Sequence, residues 1–472
     1  MRDLLTDATS RKTTLYSRRV RLWWDDDLLT AARRLRGLGE IMTMQATHPR
    51  MEVIALGCLR SVRARIGTVR AGGIRYGGPR RSGTDRLAMI DEAASAIQIM
   101  DKENGLAEVD SLERALFGFL SYDAAREVAG VVEGPPTHRW HGLPDYHLFL
   151  PRVLIRREED KLVVVARGST PEVAERVLAR VTEALIRPFE LPERELVVAP
   201  PLYSFDRQGF RQAVRGAQRA IRHGDVFQLV LSLGCRVPVS HTDALRAHAR
   251  LAAIDPAALI FSYQGASFGA AGSCPPPFLS VADVECVAHA VAGSQQRGLD
   301  TISDRHAEAR LVGSDREVAK HRMLVDLTRN DLGRVCAAGS VRIPELLAVE
   351  RYANVVHLVS EAAGMLDVGQ RPVDALRACF PTGAVTGTPK APAMRLIEQL
   401  EPTSRVLFGG AVGLLSPQRA LFYSMVRSAT LLPGRVHLQA ATGVVYDSDP
   451  HEQYDRCRNK LQPTAAALGV AV

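Results

Sequence analysis

The chain has 472 residues, 46% of them hydrophobic, a formal charge of +8 and seven scattered cysteines with no CxxC pair. That is enough apolar material for one large core or two moderate ones. The absence of an 18-residue apolar run excludes a transmembrane helix, and the cysteine pattern argues for a reducing cytosol and against zinc.

Residues 1–195 read as one mixed region and are expected to form a first domain. An Arg-rich amphipathic helix is predicted over 28–38, and strands over 51–56 and 162–165. The run Phe117-Gly118-Phe119-Leu120-Ser121-Tyr122-Asp123 reads as a buried strand entering a helix. No apolar segment follows the basic N-terminal stretch, so a cytoplasmic protein is expected. A Pro-containing connection over 191–201 predicts a linker, and a second domain is expected over 204–468. Strands mixed with separate helices, rather than a regular βαβ series, predict an α+β fold.

From 204 onward the motifs are denser. A helix over 207–223 ends at Gly224, and a strand follows over 226–239. Period two puts Gln228 on one face of that strand and Phe227 and Leu229 on the other. A buried Gln needs partners for both ends of its amide, from neighbouring backbone or from a ligand. Ser314 caps a long helix whose inward face carries Lys320, Leu324, Leu327 and Asp331. The residues around His357, 351–360, predict a strand with His357 facing away from Val356 and Leu358. The Gly-rich run from Pro381 to Lys390 feeds a helix, presenting backbone N–H groups to an anion without nucleotide-loop spacing. Phe408-Gly409-Gly410-Ala411 then offers open backbone, and Arg427 a fork donor for a carboxylate. A last helix is predicted from Pro450 to about 461, capped by Asp449, with Gln453, Arg456 and Lys460 in one stripe. Lysine occurs only at 12, 102, 161, 320, 390 and 460 among sixty basic residues. A positioned ammonium is therefore expected at several of these. The basic balance suits a small anionic substrate. Without a basic run interleaved with aromatics, nucleic acid is not expected.

In this order the motifs resemble the chorismate-utilising enzymes: anthranilate synthase component I, aminodeoxychorismate synthase, and the isochorismate and salicylate synthases. Gly224-Asp225-Val226-Phe227-Gln228, Met323-Leu324-Val325-Asp326-Leu327-Thr328-Arg329-Asn330-Asp331, the His357 strand and Gly387-Thr388-Pro389-Lys390 carry the likeness. The resemblance implies two large antiparallel sheets packed as a sandwich with flanking helices, the site lying between them. Gln228, and Ala292 in Ala290-Val291-Ala292-Gly293, align it with the anthranilate branch. The implied reaction is ammonia attack at ring C2 of chorismate, loss of the 4-hydroxyl, and pyruvate elimination. No GxCxGxQ segment occurs, so ammonia is expected from a separate glutamine amidotransferase.

The resemblance also implies departures. Family glutamates that hold Mg²⁺ are replaced by Lys320, Gln453 and Arg456, while Glu317 and Glu452 are expected to point off that face. No metal or other cofactor is therefore expected. The family's acidic residue after Ser-Pro is Pro276 here, and a threonine of the Gly-rich motif is Ala384. The retained set implies Gln228 and His357 as catalytic residues. Lys320, Gly387, Gly409, Gly410, Arg427, Gly443, Arg456 and Lys460 are implied as substrate-binding. Two alternatives stay open beside a metal-independent enzyme: a silent subunit partnering an amidotransferase or active paralogue, and an enzyme acting on another cyclohexadiene carboxylate of secondary metabolism. Ile41-Met42-Thr43-Met44 stands where tryptophan-sensing members carry Leu-Leu-Glu-Ser, so no tryptophan feedback is expected.

Overall fold

The computed structural model describes residues 13–47, 49–65, 68–71, 74–77, 95, 97–101, 111–128, 143–188, 196–298, 300–352 and 355–472. Its strands form two long runs. The first passes from Thr13–Trp23 through Lys161–Gly168, Tyr146–Glu158, Arg50–Arg65, Ile41–Thr47, Leu259–Gln264, Gly269–Cys274, Arg427–Leu432 and Arg435–Val444 to Gln228–Pro238. The second passes from Leu116–Leu120 through Ala411–Leu415, Arg419–Ser424, Leu279–Ala282, Glu285–Gln296 and Val355–Met365 to Arg342–Arg351. The two meet where Leu116–Leu120 pairs with Tyr146–Glu158. All of these pairings are antiparallel, so the fold is α+β, with large antiparallel sheets flanked by helices.

The core lies between the runs. Met44, Phe261 and Tyr263 of the first pack against Phe119, Val412 and Tyr423 of the second. Phe119 meets the rings of Tyr263 and Phe268 edge-on, each at 5.6 Å between centroids, the geometry that aromatic quadrupoles favour. The expected boundary near 191–201 falls partly on residues 191–195, outside the described ones. Strands of the expected first domain pair directly with strands of the second: Ile41–Thr47 with Leu259–Gln264, and Leu116–Leu120 with Ala411–Leu415.

Local signals place the helices that wall the site. Asp206 accepts a hydrogen bond from the amide of Gly209, and Gly224 at φ +84° closes the Arg207–His223 helix, as capping chemistry predicts. Ser314 caps the Asp315–Leu332 helix. The C-terminal helix, Pro450–Leu468, runs longer than predicted because Pro463 is accommodated inside it. The strand expected over 351–360 is two elements: Arg342–Arg351 ends, the amide of Tyr352 donates to the carbonyl of Val355 at 2.9 Å, and Val355–Met365 begins. Ala353 and Asn354 of that prediction lie outside the described residues. Among the described residues no helix is long and apolar enough to cross a membrane.

Candidate functional site

A cavity of about 720 Å³ opens where the start of the Gln228 strand, the Glu285–Gln296 strand, the Asp315–Leu332 helix and the C-terminal helix converge. Gln228, Lys320, His357, Arg427, Gly443, Arg456 and Lys460 all line it, although they come from distant parts of the chain.

Arg427 is the hub. Its Nη1 lies 3.2 and 3.3 Å from the carboxylate oxygens of Asp255, which is 1% exposed and also accepts from the hydroxyl of Ser273. Its Nη2 lies 3.3 Å from Nε2 of His357. A guanidinium only donates, so Nε2 accepts and Nδ1 carries the hydrogen, facing the carbonyl of Gly293 at 3.4 Å. Burial, and then the Arg427 charge, lower the His357 pKa to about 4, so this ring is neutral at physiological pH. Tyr352 packs edge-on against it, and the Tyr352 hydroxyl donates to Glu350.

Lys460 donates to the carbonyl of Ala441 at 2.8 Å. It is solvent-accessible where it lines the cavity, yet the surrounding protein desolvates the ammonium. That desolvation, with Arg427, Arg456 and Lys320 nearby, lowers its pKa. Lys320 and Glu317 form an i,i+3 ion pair at 3.0 Å, both on the cavity wall. Glu317 was expected to point off that face. Residues three apart are neighbours on a helix surface, so its side chain reaches back to the lysine. Glu452 does stay outside the lining, paired with Arg456 at 2.9 Å at a half-exposed rim. Asp331 is bound to Lys390 at 2.6 Å, and Lys390 also donates to the carbonyls of Ala378 and Cys379. Among the described residues lining the cavity, Lys460 is the cation without a carboxylate partner.

Gln228 is buried, and its Oε1 has no hydrogen-bond partner. Its amide lies against Gly443, where a Cβ would sit 2.8 Å from Nε2. Gln453 does not share the wall with Arg456 and Lys460: it is 2% exposed, accepts from Thr442 at 2.6 Å, and donates to the carbonyl of Asp449. Gly387, Gly409 and Gly410 also lie outside the lining. Gly387 has φ +128°, and a Cβ there would be 2.2 Å from the carbonyl oxygen of Gln228. It serves the site by letting the Gln228 strand approach. Gly410 gives the same close passage to the carbonyl of Leu120. Of the expected anion cradle from Pro381 to Lys390, Thr382, Gly383, Ala384 and Val385 line the cavity, whereas Gly387 is backbone packing and Lys390 a buried ion pair.

Magnesium needs a near-octahedral set of hard oxygens. The carboxylates lining the cavity are Glu317 and Asp331, each engaged by a lysine. Among the described residues no group of three or more His, Cys, Asp or Glu is placed to hold a metal ion. This donor set does not fit a resident magnesium.

Sequence reasoning missed Asp255, Tyr352 and His289, all tied to this cavity. His289 alternates with Ala288 and Ala290 along its strand, a period-two signal that marks it as facing away from the helix; Asp255 and Tyr352 left no comparable signal.

The cavity draws its walls from both antiparallel strand runs and from the helices that flank them. Residues 53–466 match the family described as chorismate binding enzyme, and the chain belongs to that family. It is 36% identical to anthranilate synthase component 1 of Thermus thermophilus, over 75% of this chain and 77% of that protein. It is 31% identical to the Pseudomonas aeruginosa counterpart, over 89% and 88%. The crystal structure of anthranilate synthase component I from Streptococcus pneumoniae superposes with a TM-score of 0.74 at 26% identity, covering 88% of this chain and 92% of that one. The menaquinone-specific isochorismate synthase of Escherichia coli gives 0.76 over 99% and 98%, at 18% identity, a likeness of fold.

Proposed function

We propose that the cavity binds chorismate, or a closely related cyclohexadiene dicarboxylate, and that the protein aminates it and eliminates pyruvate without bound Mg²⁺. The observation that carries this reading is the gathering of Lys320, Arg427, Arg456 and Lys460 around one cavity. Arg427 and Lys460 hold one carboxylate and Lys320 and Arg456 the other, by charge-assisted hydrogen bonds that need no metal. The bare amide oxygen of Gln228 accepts a hydrogen bond from ammonia and so aims the nitrogen lone pair at ring C2. As the C2–N bond forms, the ring double bonds shift and the 4-hydroxyl leaves as water, taking up the proton that the attacking nitrogen sheds. His357, neutral, assists that departure by turning its Nδ1 hydrogen, held by the Gly293 carbonyl only at 3.4 Å, toward the leaving oxygen. The second stage breaks the bond from ring C3 to the enolpyruvyl oxygen, giving the aromatic amine and pyruvate. Ammonia comes from a partner glutamine amidotransferase. The substrate class is supported by the family description, chorismate binding enzyme, and a partner by relatives that are named as component 1.

A second reading, a silent binding subunit, is favoured by Pro276 in the cavity wall and by the carboxylates that already engage Lys320, Arg427 and Arg456. Purified protein incubated with chorismate, with and without ammonium, Mg²⁺ and EDTA, separates the two by product mass. Aminated product that persists in EDTA supports the enzyme. Chorismate bound but unchanged, with stable co-purification of a partner, supports the subunit. Strict magnesium dependence rules out the exchange of metal for side-chain cations.

A further inference from the structure

Both stages of the proposed reaction move protons, and most titratable groups on the cavity wall are already engaged. Asp331 is bound to Lys390 and Glu317 to Lys320. The Tyr352 hydroxyl is given to Glu350. His357 is neutral, with Nε2 occupied by Arg427. Burial raises the Cys379 thiol far above its usual range. The lysines and arginines are assigned to carboxylates.

His289 stands apart from these. It lines the cavity beside Pro275 and Pro276. Its Nδ1 is 2.8 Å from the carbonyl oxygen of Pro277. A carbonyl can only accept, so Nδ1 carries a hydrogen in either charge state, and Nε2 is the nitrogen that gains or gives a proton. Glu361 lies directly across the strand pair, its carboxylate 3.7 Å from Nε2. A carboxylate at that distance attracts an imidazolium without taking its hydrogen bond, which leaves Nε2 free to donate. Other charges approach less closely. Glu345 sits opposite Glu361 on the outer strand and is exposed. The Asp315–Leu332 helix, with Lys320 and Asp331, packs on the other face through Ala288 and Ala290. His289 is 19% exposed, so a proton given away can be replaced from solvent.

We propose that His289 is a catalytic proton donor, protonating the enolpyruvyl group as it leaves. The inference rests on the reading of function given above. The ring carbon bearing the amine loses its hydrogen as a proton to solvent water, and the C–H electrons complete the aromatic ring. The ring C–O bond breaks, and its electron pair departs on the oxygen as pyruvate enolate. The Nε2 proton of His289 goes to the methylene carbon of that enolate, giving pyruvate. One proton leaves the ring and one joins the product, so the step needs no oxidant or further reactant.

The test compares wild type with His289→Ala in the presence of chorismate and ammonium, following pyruvate release and the mass of ring products. The variant is expected to accumulate the aminated ring compound that still carries its enolpyruvyl group. Its pyruvate release should fall about 10²-fold or more, with chorismate binding retained. Added imidazole should restore part of the rate. Pyruvate release at the wild-type rate overturns the assignment. So does loss of chorismate binding in the variant, which marks a structural role. If the variant and wild type both leave chorismate untouched, the underlying reading of function falls, and this assignment with it.

Discussion

Reversing two charges at the cavity should convert this protein into a metal binder. The perturbation is the double variant Lys320→Glu/Arg456→Glu, which leaves Glu317 and Glu452 facing new carboxylates at i,i+3 and i,i+4. The Lys320 and Glu317 side chains are 17% and 28% exposed and lie 3.0 Å apart. At about 4 Å and an effective dielectric near 20, one unit pair is worth about 4 kcal/mol, so reversal exchanges an attraction for a repulsion of that size. Solvent in the cavity screens most of this, leaving a net cost of about 1–2 kcal/mol. Arg456 and Glu452, 50% and 57% exposed, add only a few tenths of a kcal/mol. Magnesium bound among the four carboxylates relieves the repulsion, and at about 100 times its Kd it returns about 2.7 kcal/mol. Thermal unfolding with and without a large excess of MgCl₂, backed by titration calorimetry, reads this directly. The double variant should gain stability with Mg²⁺ while wild type does not. Equal stabilisation of both proteins, or of neither, would refute the idea that these side chains decide whether the site takes a metal.

Three further outcomes are expected. Asp255→Ala leaves Arg427 without its buried carboxylate, and should cost about 2–4 kcal/mol in urea unfolding and weaken chorismate binding at least about tenfold; full retention of affinity would show that Arg427 needs no anchor. Gly387→Ala, although outside the cavity, should destabilise by about 3 kcal/mol or more, because its Cβ would meet the Gln228 carbonyl at 2.2 Å in a backbone region closed to L side chains; a denaturation curve matching wild type would contradict that packing. Stability should also fall in mild acid. His248 and His437 are buried, and desolvation lowers their pKa values to about 3 and about 4. As pH drops below about 6.5 the unfolded chain takes up protons that the folded one refuses, so stability declines until the folded values are reached. Between pH 7 and 5 the two should cost about 4 kcal/mol together, and a melting temperature constant over that range would exclude it.

Much of the architecture could be read from the chain. Asp206, Gly224, Ser314 and Asp449 act within one turn of themselves, and the helices begin or end where those residues predict. Period two correctly separated His357 from buried Val356 and Leu358. Helical spacing placed Lys320, Leu324 and Asp331 on one wall. It misjudged Glu317, whose i,i+3 partner was in plain sight, because a side chain's reach was neglected beside its backbone angle. Gln453 shared a predicted stripe with Arg456 and Lys460, yet Thr442 on a distant strand draws it into the interior.

What the order of residues determined by itself is the family and the residues that cap several helices, since these are matters of residue type and local spacing. Tertiary structure alone decided which charges are spoken for: that Asp255 anchors Arg427 and that Lys390 neutralises Asp331. Electrostatic pairing depends on distances of a few ångströms between groups far apart in the chain, Asp255 and Arg427 among them, and only the packed sheets bring them within that range.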